Sequence, residues 1–322
     1  MAADGSATPV PGSPFTGANG SLATNGKFMI ATDGTNIVSF AIRADGALAQ
    51  VSTIDGTAHN DTPIGSGVGA LSLDRGGGTI YAGEINFQGA DNNAIAIFKL
   101  APNGVLSFIA NSAINVNFGG TLAFTPDNQH AYGQGCFFLG WQLFGLTRNP
   151  DGTLTSFDDH APSPPIQNNQ FYCPGPSSVS PSGDFLTGVI APEGQTGVND
   201  KLSVYAINRG GTLSLVASSV MATPFMFISD IAFDPSGNFL AAATSNGVQI
   251  YRLTSGTLAA MGSPQDPNVS FDQVQWDNFG HLYAISNSAQ RLFIYTAKRG
   301  VLSAAPGSPH SVANPTGIAV AE

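Results

Sequence analysis

Short runs in which apolar and polar residues alternate follow one another along the whole chain, separated by turns rich in Gly, Asn and Asp. An alternation with a period of two is typical of antiparallel strands that have one buried face. The clearest unit predicts four strands, which we call a, b, c and d. They run over Ile231–Phe233, Phe239–Ala243, Val248–Leu253 and Leu258–Met261.

Two sequence markers repeat this unit six times in step. The first is the turn between strands a and b, found at Gly26, Gly77, Asn128, Gly183, Gly237 and Gly280. The second is an aromatic residue in strand c, found at Phe40, Phe98, Phe144, Tyr205, Tyr251 and Tyr295. Four strands per repeat, stacked so that each unit buries its neighbour's face, predict the blades of a β-propeller. We expect one all-β domain over residues 1–322.

The two ends of the chain carry partial copies of the same unit. The segment 7–15 resembles the outer-strand segment 303–310, and the segment 315–322 resembles the innermost strand at 229–235. We expect both ends to share a seventh, incomplete blade without evident b and c strands. A six-bladed ring with two spare strands is the alternative. An incomplete blade would leave an exposed strand edge, through which the protein could associate with itself.

The repeat resembles a known family. The run AFDPSGNFLAAA, followed by VQIYRL and GTLAAMGSP, is similar to the lactonase-like seven-bladed propellers, which include bacterial 6-phosphogluconolactonases and fungal carboxymuconate lactonizing enzyme. The resemblance implies a seven-bladed ring and lactone hydrolysis by a segment that contains histidine, supported by Glu and Arg on the same face. The matching segment here, 172–176, has no histidine, so no catalytic residue is carried over.

Loop lengths indicate where function lies. In a four-stranded blade the a–b and c–d turns share one face, which we call the short-turn face. The b–c and d–a connections share the other, the long-loop face. The long connections all fall there, over residues 52–68, 84–93, 158–176, 191–200 and 219–228. Because long loops in a compact domain usually carry function, we expect the site on the long-loop face.

Charge narrows the classes of ligand. The net charge is −10, with 11 Lys and Arg against 21 Asp and Glu, which argues against binding to nucleic acid or to an anionic membrane. Only Lys201 and Arg291 are expected on the long-loop face, too few for a phosphosugar site. No apolar run reaches the roughly 18 residues of a membrane-spanning helix.

Two functions remain open. The first is hydrolysis of an uncharged lactone on the long-loop face, with Glu84 or Glu193 as the base, His160 as a further acid or base, and Arg291 polarising the carbonyl. Histidines that are simply solvated in loops are the alternative for His160. The second function is a non-catalytic propeller that binds a small ligand or a protein through the same face. The chain lacks the Gly-x-Ser-x-Gly motif of a serine hydrolase.

Metal, thiol and aromatic residues each allow two interpretations. Asp91 and Asp200 have the oxygen ligands that calcium prefers, although such residues also cap local turns, so the expected cofactor is calcium or none. Cys136 and Cys173 could form a disulfide or remain buried thiols. Aromatic residues of the long loops, including Phe225, Phe227 and Phe271, could line a pocket or pack onto the blades.

The composition also suggests a location. Abundant Ser, Thr, Asn and Gly with few Lys suits an exported bacterial protein, periplasmic or secreted, and a disulfide would agree with that location. The first residues, 1–4, do not have the pattern of a signal peptide, so the initiator Met is expected to stand in place of a leader.

Overall fold

The computed structural model describes residues 4–13, 15, 20–56, 67–85, 93–114, 121–137, 140–158, 172–192, 197–216 and 220–321. These residues form strands and turns but no helix, and the strands make six antiparallel sheets. The fold is a six-bladed β-propeller. None of the described residues belongs to a helix that could span a membrane. By contacts, the chain divides into two compact units.

The N-terminal unit comprises Pro9–Asp159 and Ala319–Glu322 and contains blades 1 to 3. Blade 1 consists of β1 (Leu22–Thr24), β2 (Phe28–Thr32), β3 (Asn36–Ile42) and β4 (Leu48–Asp55). Blade 2 consists of β5 (Gly67–Leu73), β6 (Thr79–Ile85), β7 (Asn93–Leu100) and β8 (Leu106–Ile114). Blade 3 consists of β9 (Ala123–Phe124), β10 (His130–Phe137), β11 (Gly140–Arg148) and β12 (Leu154–Asp158).

The C-terminal unit comprises Met1–Thr8 and His160–Ile318 and contains blades 4 to 6. Blade 4 consists of β13 (Tyr172–Val179), β14 (Phe185–Pro192), β15 (Lys201–Ile207), β16 (Leu213–Leu215) and β17 (Met221–Ala222). Blade 5 consists of β18 (Ile228–Phe233), β19 (Phe239–Thr244), β20 (Gly247–Thr254) and β21 (Thr257–Gln265). Blade 6 consists of β22 (Gln273–Trp276), β23 (His281–Ser286), β24 (Arg291–Lys298), β25 (Val301–Ala304) and β26 (His310–Ser311).

Each blade follows the predicted order a–b–c–d. In blades 4 and 6 the outer strand is interrupted, so that β16 and β17 both pair with β15, and β25 and β26 both pair with β24. The middle strands are the most buried, as in β23, where every residue is buried. Apolar side chains of neighbouring blades form shared clusters, for example Val204 of blade 4 with Ile231 and Leu240 of blade 5. Burial between blades therefore explains why strands b and c are almost continuously apolar.

In blades 2, 5 and 6 an aspartate at the end of strand a holds the a–b turn. Asp234 accepts a hydrogen bond from the Phe239 amide at 2.8 Å, and Asp277 accepts one from the His281 amide at 2.7 Å. Gly237 lies between Asp234 and Phe239 in the a–b turn of blade 5. Its φ is +72°, in the left-handed region that favours glycine. These turns fix the short-turn face of each unit.

The six-bladed alternative is confirmed and the seventh, incomplete blade is wrong, because the terminal segments form no seventh sheet among the described residues. Gly5 packs on His281 of blade 6 much as Gly300 packs on Phe239 of blade 5. The Ile318 amide donates to the side chain of Gln273 at 3.0 Å instead of to another strand. The two ends therefore occupy positions of a further repeat. They make no ladder, since the described residues include no middle strands to pair with them.

Candidate functional site

The predicted catalytic residues are only partly covered by the described residues. Glu84 lies in β6, where its backbone pairs with Val68. Glu193 and His160 lie outside the described residues. Arg291 is the first residue of β24, exposed at the long-loop face, with Ser286 and Ser311 opposite it on the adjacent strands. The described residues therefore do not bring this set together, and the roles of its members remain predictions.

Asp200, predicted as a metal ligand, is instead a buried acceptor. It immediately precedes β15 and is 3% exposed. Its Oδ2 accepts a hydrogen bond from the Ile228 amide at 2.7 Å. Burial disfavours the charged carboxylate and raises the pKa of Asp200 to about 6, although the bond from Ile228 works in the opposite direction. Asp200 thus joins the b–c connection of blade 4 to the first strand of blade 5.

The calcium prediction receives no further support from the described residues. Among them, no three His, Cys, Asp or Glu side chains form a group that could hold a metal ion. Asp91, the other proposed ligand, lies outside the described residues. The carboxylate of Asp200 is already bonded to a backbone amide of its own unit. Calcium binding therefore remains a prediction.

Among the described acids of the long-loop face, Asp230 has an unusual backbone position. It follows a β-bulge, because the register of β18 against β19 shifts between Ile228 and Asp230. Bulges redirect side chains and are frequent beside active sites. Here the carboxyl accepts hydrogen bonds from the Ile231 amide at 2.9 Å and from the Val274 amide of blade 6 at 3.1 Å. The bulged residue, Ser229, is exposed.

The environment of Asp230 moves its titration to neutral pH. The side chain lies deep in the C-terminal unit, yet part of its surface remains exposed to solvent. Burial raises the pKa of Asp230 to about 7, against the smaller opposing effect of the bonds from Val274 and Ile231. A carboxyl that exchanges its proton near pH 7 has the property required of a general acid or base.

The contact to the next blade does not require a carboxyl. At the equivalent point of blade 6, the neutral side chain of Gln273 accepts the Ile318 amide at 3.0 Å. In the N-terminal unit, the Ser21 hydroxyl accepts the Leu71 amide at 3.0 Å. A neutral acceptor is sufficient for the fold, whereas a buried carboxylate is costly. The hydrogen bond to the next blade therefore does not explain why position 230 is an acid.

The sequence analysis missed this residue, although a signal was present. When the first strands are aligned by their pairing with the second strand of each blade, Ser21, Ala70 and Gln273 occupy the position of Asp230. Asp230 is an acid where these other repeats have neutral residues, and packing does not require an acid at this position.

One of the two expected cations of this face is already engaged. The Lys201 ammonium lies 5.1 Å from the ring centroid of Tyr172 and donates to its hydroxyl at 3.4 Å. The long-loop aromatics divide in the same way, since Phe225 and Phe271 are buried while Phe227 is exposed. Arg291 thus remains the exposed cation at this face of blade 6.

The disulfide prediction is confirmed for Cys173, which is disulfide-bonded. No described cysteine is free, and the chain contains 2 cysteines in all. Cys173 lies in β13 and Cys136 in β10.

An Arg–Asp ion pair and a His–Asp hydrogen bond lie on the short-turn face, and both have structural roles. Arg148 and Asp74 approach to 2.8 Å and join blades 3 and 2. In blade 6, the His281 ring Nδ1 and Asp277 Oδ2 are 2.7 Å apart, and the Tyr283 hydroxyl donates to the same oxygen at 3.0 Å. Burial opposes the charge on Asp277, but hydrogen bonds from His281, Phe279 and Tyr283 lower its pKa overall. Gly5 covers the His281 ring, so this pair anchors the chain start.

Neither a family model nor a curated protein matches the chain. Solved structures do. A Bacteroides uniformis protein proposed to be a 6-phosphogluconolactonase has a TM-score of 0.66 at 18% identity, covering 97% of this chain and 89% of that one. The periplasmic gluconolactonase of Pseudomonas aeruginosa has a TM-score of 0.65 at 13% identity, covering 92% and 89%.

The same fold occurs in a protein with a different name. Kuenenia stuttgartiensis hydrazine synthase has a TM-score of 0.67 at 12% identity, covering 98% of this chain and 93% of that chain. At these identities the likeness shows the fold alone. The chain therefore has a propeller fold that lactonases share, and its activity must be argued from its own residues.

Proposed function

We propose that this protein hydrolyses an uncharged lactone at the long-loop face of its C-terminal unit, with Asp230 as the general base. The observation that carries the proposal is Asp230, a residue that is partly exposed and whose carboxyl has a pKa of about 7. The lactonases among the structures of similar fold give the reaction class. The scarcity of cations at this face favours a substrate without phosphate or carboxylate groups.

The chemistry needs one group that accepts and then returns a proton. Ionised Asp230 accepts a proton from water as the water oxygen bonds to the lactone carbonyl carbon. The tetrahedral intermediate then breaks the bond to the ring oxygen, and protonated Asp230 returns the proton to that leaving alkoxide. The products are a carboxylic acid, which ionises in solution, and an alcohol. Arg291 would stabilise the negative carbonyl oxygen, and Glu84 and Glu193 are the alternative bases.

The test is a pH-stat screen of sugar, aliphatic and aromatic lactones, with calcium and with EDTA. We expect kcat/KM to rise with pH through about 7 and then level off, because only the ionised base is active. The variant Asp230→Gln should lose about 10²- to 10⁴-fold in kcat. Its fold should persist, because Gln273 makes the equivalent contact in blade 6.

Matched variants distinguish the candidate bases. Asp272 is an exposed acid at the same face of blade 6, and Asp272→Asn should keep its activity. If Glu84→Gln or Glu193→Gln abolishes turnover while Asp230→Gln does not, the base has been misassigned. Restoration of lost activity by calcium after EDTA treatment would establish a metal requirement.

The alternative is a non-catalytic propeller that binds its ligand through the same face. One observation favours this alternative. Asp200, the least exposed of the described acids, binds the Ile228 amide at the end of a loop, so it serves the fold and is not available for catalysis. If folded protein turns over none of the lactones, the binding function replaces the catalytic one.

The protein's location is proposed to be extracytoplasmic. The disulfide of Cys173 requires an oxidising compartment in most organisms, and one protein of similar fold is periplasmic. This proposal predicts that the native protein, isolated without reductant and unfolded, shows no reaction with a thiol-alkylating reagent.

A further inference from the structure

Two large apolar side chains are exposed beside the proposed base. In the loop between blades 4 and 5, Met226 is 46% exposed and Phe227 is 62% exposed. Their neighbours in sequence are buried, since Phe225 is 2% and Ile228 is 4% exposed. The loop therefore has anchors on both sides of an apolar pair that faces solvent.

Hydrogen bonds with two consecutive residues, Asn199 and Asp200, fix the start of this loop. The Asn199 side chain donates to the Thr223 carbonyl at 3.0 Å, and the Thr223 hydroxyl donates to the Asp200 carbonyl at 2.6 Å. The Asp200 amide in turn donates to the Phe225 carbonyl at 2.9 Å. These contacts hold the backbone immediately before the exposed pair.

The end of the loop is fixed equally well. The Asp200 carboxyl accepts the Ile228 amide at 2.7 Å, and the Phe227 carbonyl accepts the Ser245 amide of blade 5 at 3.0 Å. With its backbone held from both sides, the pair cannot fold back onto the core. Its apolar surface is held in solvent, an arrangement that is unfavourable unless a ligand covers it.

The pair lies within reach of Asp230. Only Ile228 and Ser229 separate Phe227 from Asp230, and three extended residues span about 10 Å. A lactone whose carbonyl lies near the Asp230 carboxyl could therefore extend a chain of several carbons over the Phe227 ring. Residues 220–230 contain no Lys or Arg, and the cation on the adjacent strand, Lys201, pairs through its backbone with Ala222 while its ammonium lies over the Tyr172 ring.

We propose that Met226 and Phe227 bind an apolar substituent of the lactone, so that the substrate class is lactones with an alkyl chain rather than sugar lactones. This inference rests on the proposed function for the location of the ring. It assigns a specificity contact to two residues that take no part in the proton transfer.

The test uses ligands that cannot be hydrolysed, so that it does not depend on turnover. The dissociation constants of 2-pyrrolidinone and 5-hexyl-2-pyrrolidinone, the lactam analogues, are measured by calorimetry or by NMR titration. Each methylene that leaves water contributes about fourfold in affinity. We expect the hexyl lactam to bind at least 30-fold more tightly than the unsubstituted one.

Matched variants localise the effect. Phe227→Ala and the double variant with Met226→Ala should each lose at least tenfold in affinity for the hexyl lactam, with little change for the unsubstituted ring. Phe279→Ala is the control, because Phe279 is 82% exposed on the short-turn face of blade 6. Thermal unfolding checks that each variant is folded.

Three outcomes overturn the inference: equal affinity for the two lactams, an unchanged affinity in the double variant, or an equal loss in Phe279→Ala. Failure of the proposed function has a different signature, which is the absence of lactone turnover while the lactam results still stand.

Discussion

Asp200 and Asp230 keep their protons to unusually high pH because burial makes their charged forms unfavourable. Their pKa values are raised to about 6 and about 7 from an ordinary 3.8. The folded state therefore binds more protons than the unfolded state between pH 4 and 7. The stability that these two groups contribute is fully present below pH 4 and is lost as the pH rises through 6 and 7.

This linkage predicts the behaviour of Asp200→Asn. The amide oxygen can still accept the Ile228 amide, and the variant carries no charge to bury. At pH 8 we expect it to be more stable than the wild type, by up to about 3 kcal/mol. At pH 4 the gain should disappear. Denaturant unfolding at both pH values measures the difference.

The control for this prediction is Asp184→Asn, at an exposed position in the a–b turn of blade 4. It should change the stability equally at both pH values. A constant effect of Asp200→Asn across the pH range would contradict a raised pKa at that residue.

At the scale of the element, the c–d turns lock neighbouring blades together through glycine. Gly300 has a φ of +80°, and a Cβ there would lie 2.6 Å from the Phe239 ring of blade 5. Gly262 also has a positive φ, +64°, but a Cβ there would meet nothing within 4 Å. The pair separates backbone strain from steric contact within one unit.

We therefore expect Gly262→Ala to cost about 1 kcal/mol of stability, from the left-handed backbone alone. Gly300→Ala should cost about 1 to 3 kcal/mol more, because Phe239 must also move. Urea unfolding of the two variants gives the comparison. Equal losses would mean that the blades adjust to the added methyl group without cost.

The elements themselves were well predicted from the sequence, and their details less so. The four strands of blade 5 were placed correctly because period-two alternation and turn residues both depend on local geometry. The outer strand β21, however, continues to Gln265 beyond the predicted end at Met261. Its exposed polar residues give little hydrophobic signal, since an outer strand has one unpaired edge.

Which distant residues come together in the fold was not predictable from the sequence in the same way. Phe225 and Phe227 are two positions apart in one loop and look equivalent in sequence, yet one is buried and the other exposed. The difference arises from hydrogen bonds to Asn199 and Asp200, which are distant in sequence. Likewise, burial in the folded unit raises the pKa of Asp230 to about 7, and no local sequence pattern reveals that burial.

At the scale of the whole molecule, repetition predicted the propeller but not its number of blades. Residues 7–15 and 315–322 resemble parts of a repeat, and this resemblance suggested a seventh blade. A sequence match does not show whether a segment has a partner strand. Here the Ile318 amide is bonded to the Gln273 side chain, Gly5 packs on His281, and no described residue of 4–15 or 315–321 lies in a strand.

The disulfide gives a prediction at this same scale. Replacing Cys173 by Ser should lower the free energy of unfolding by about 2 to 4 kcal/mol, because the unfolded chain regains entropy when the link is lost. Unfolding of the wild type with and without dithiothreitol should show the same difference. If neither reduction nor substitution changes the unfolding midpoint, the link does not constrain the unfolded chain.

The fixed loop before β18 also has an evolutionary consequence. Its anchors, Thr223, Phe225 and Ile228, carry the packing and the hydrogen bonds, whereas positions 226 and 227 contribute mainly surface. Exchanges at those two positions would be nearly neutral for folding, so they would change what the protein binds without destabilising it. A library randomised at only these two codons would then be a small and stable starting point for changing what this propeller binds.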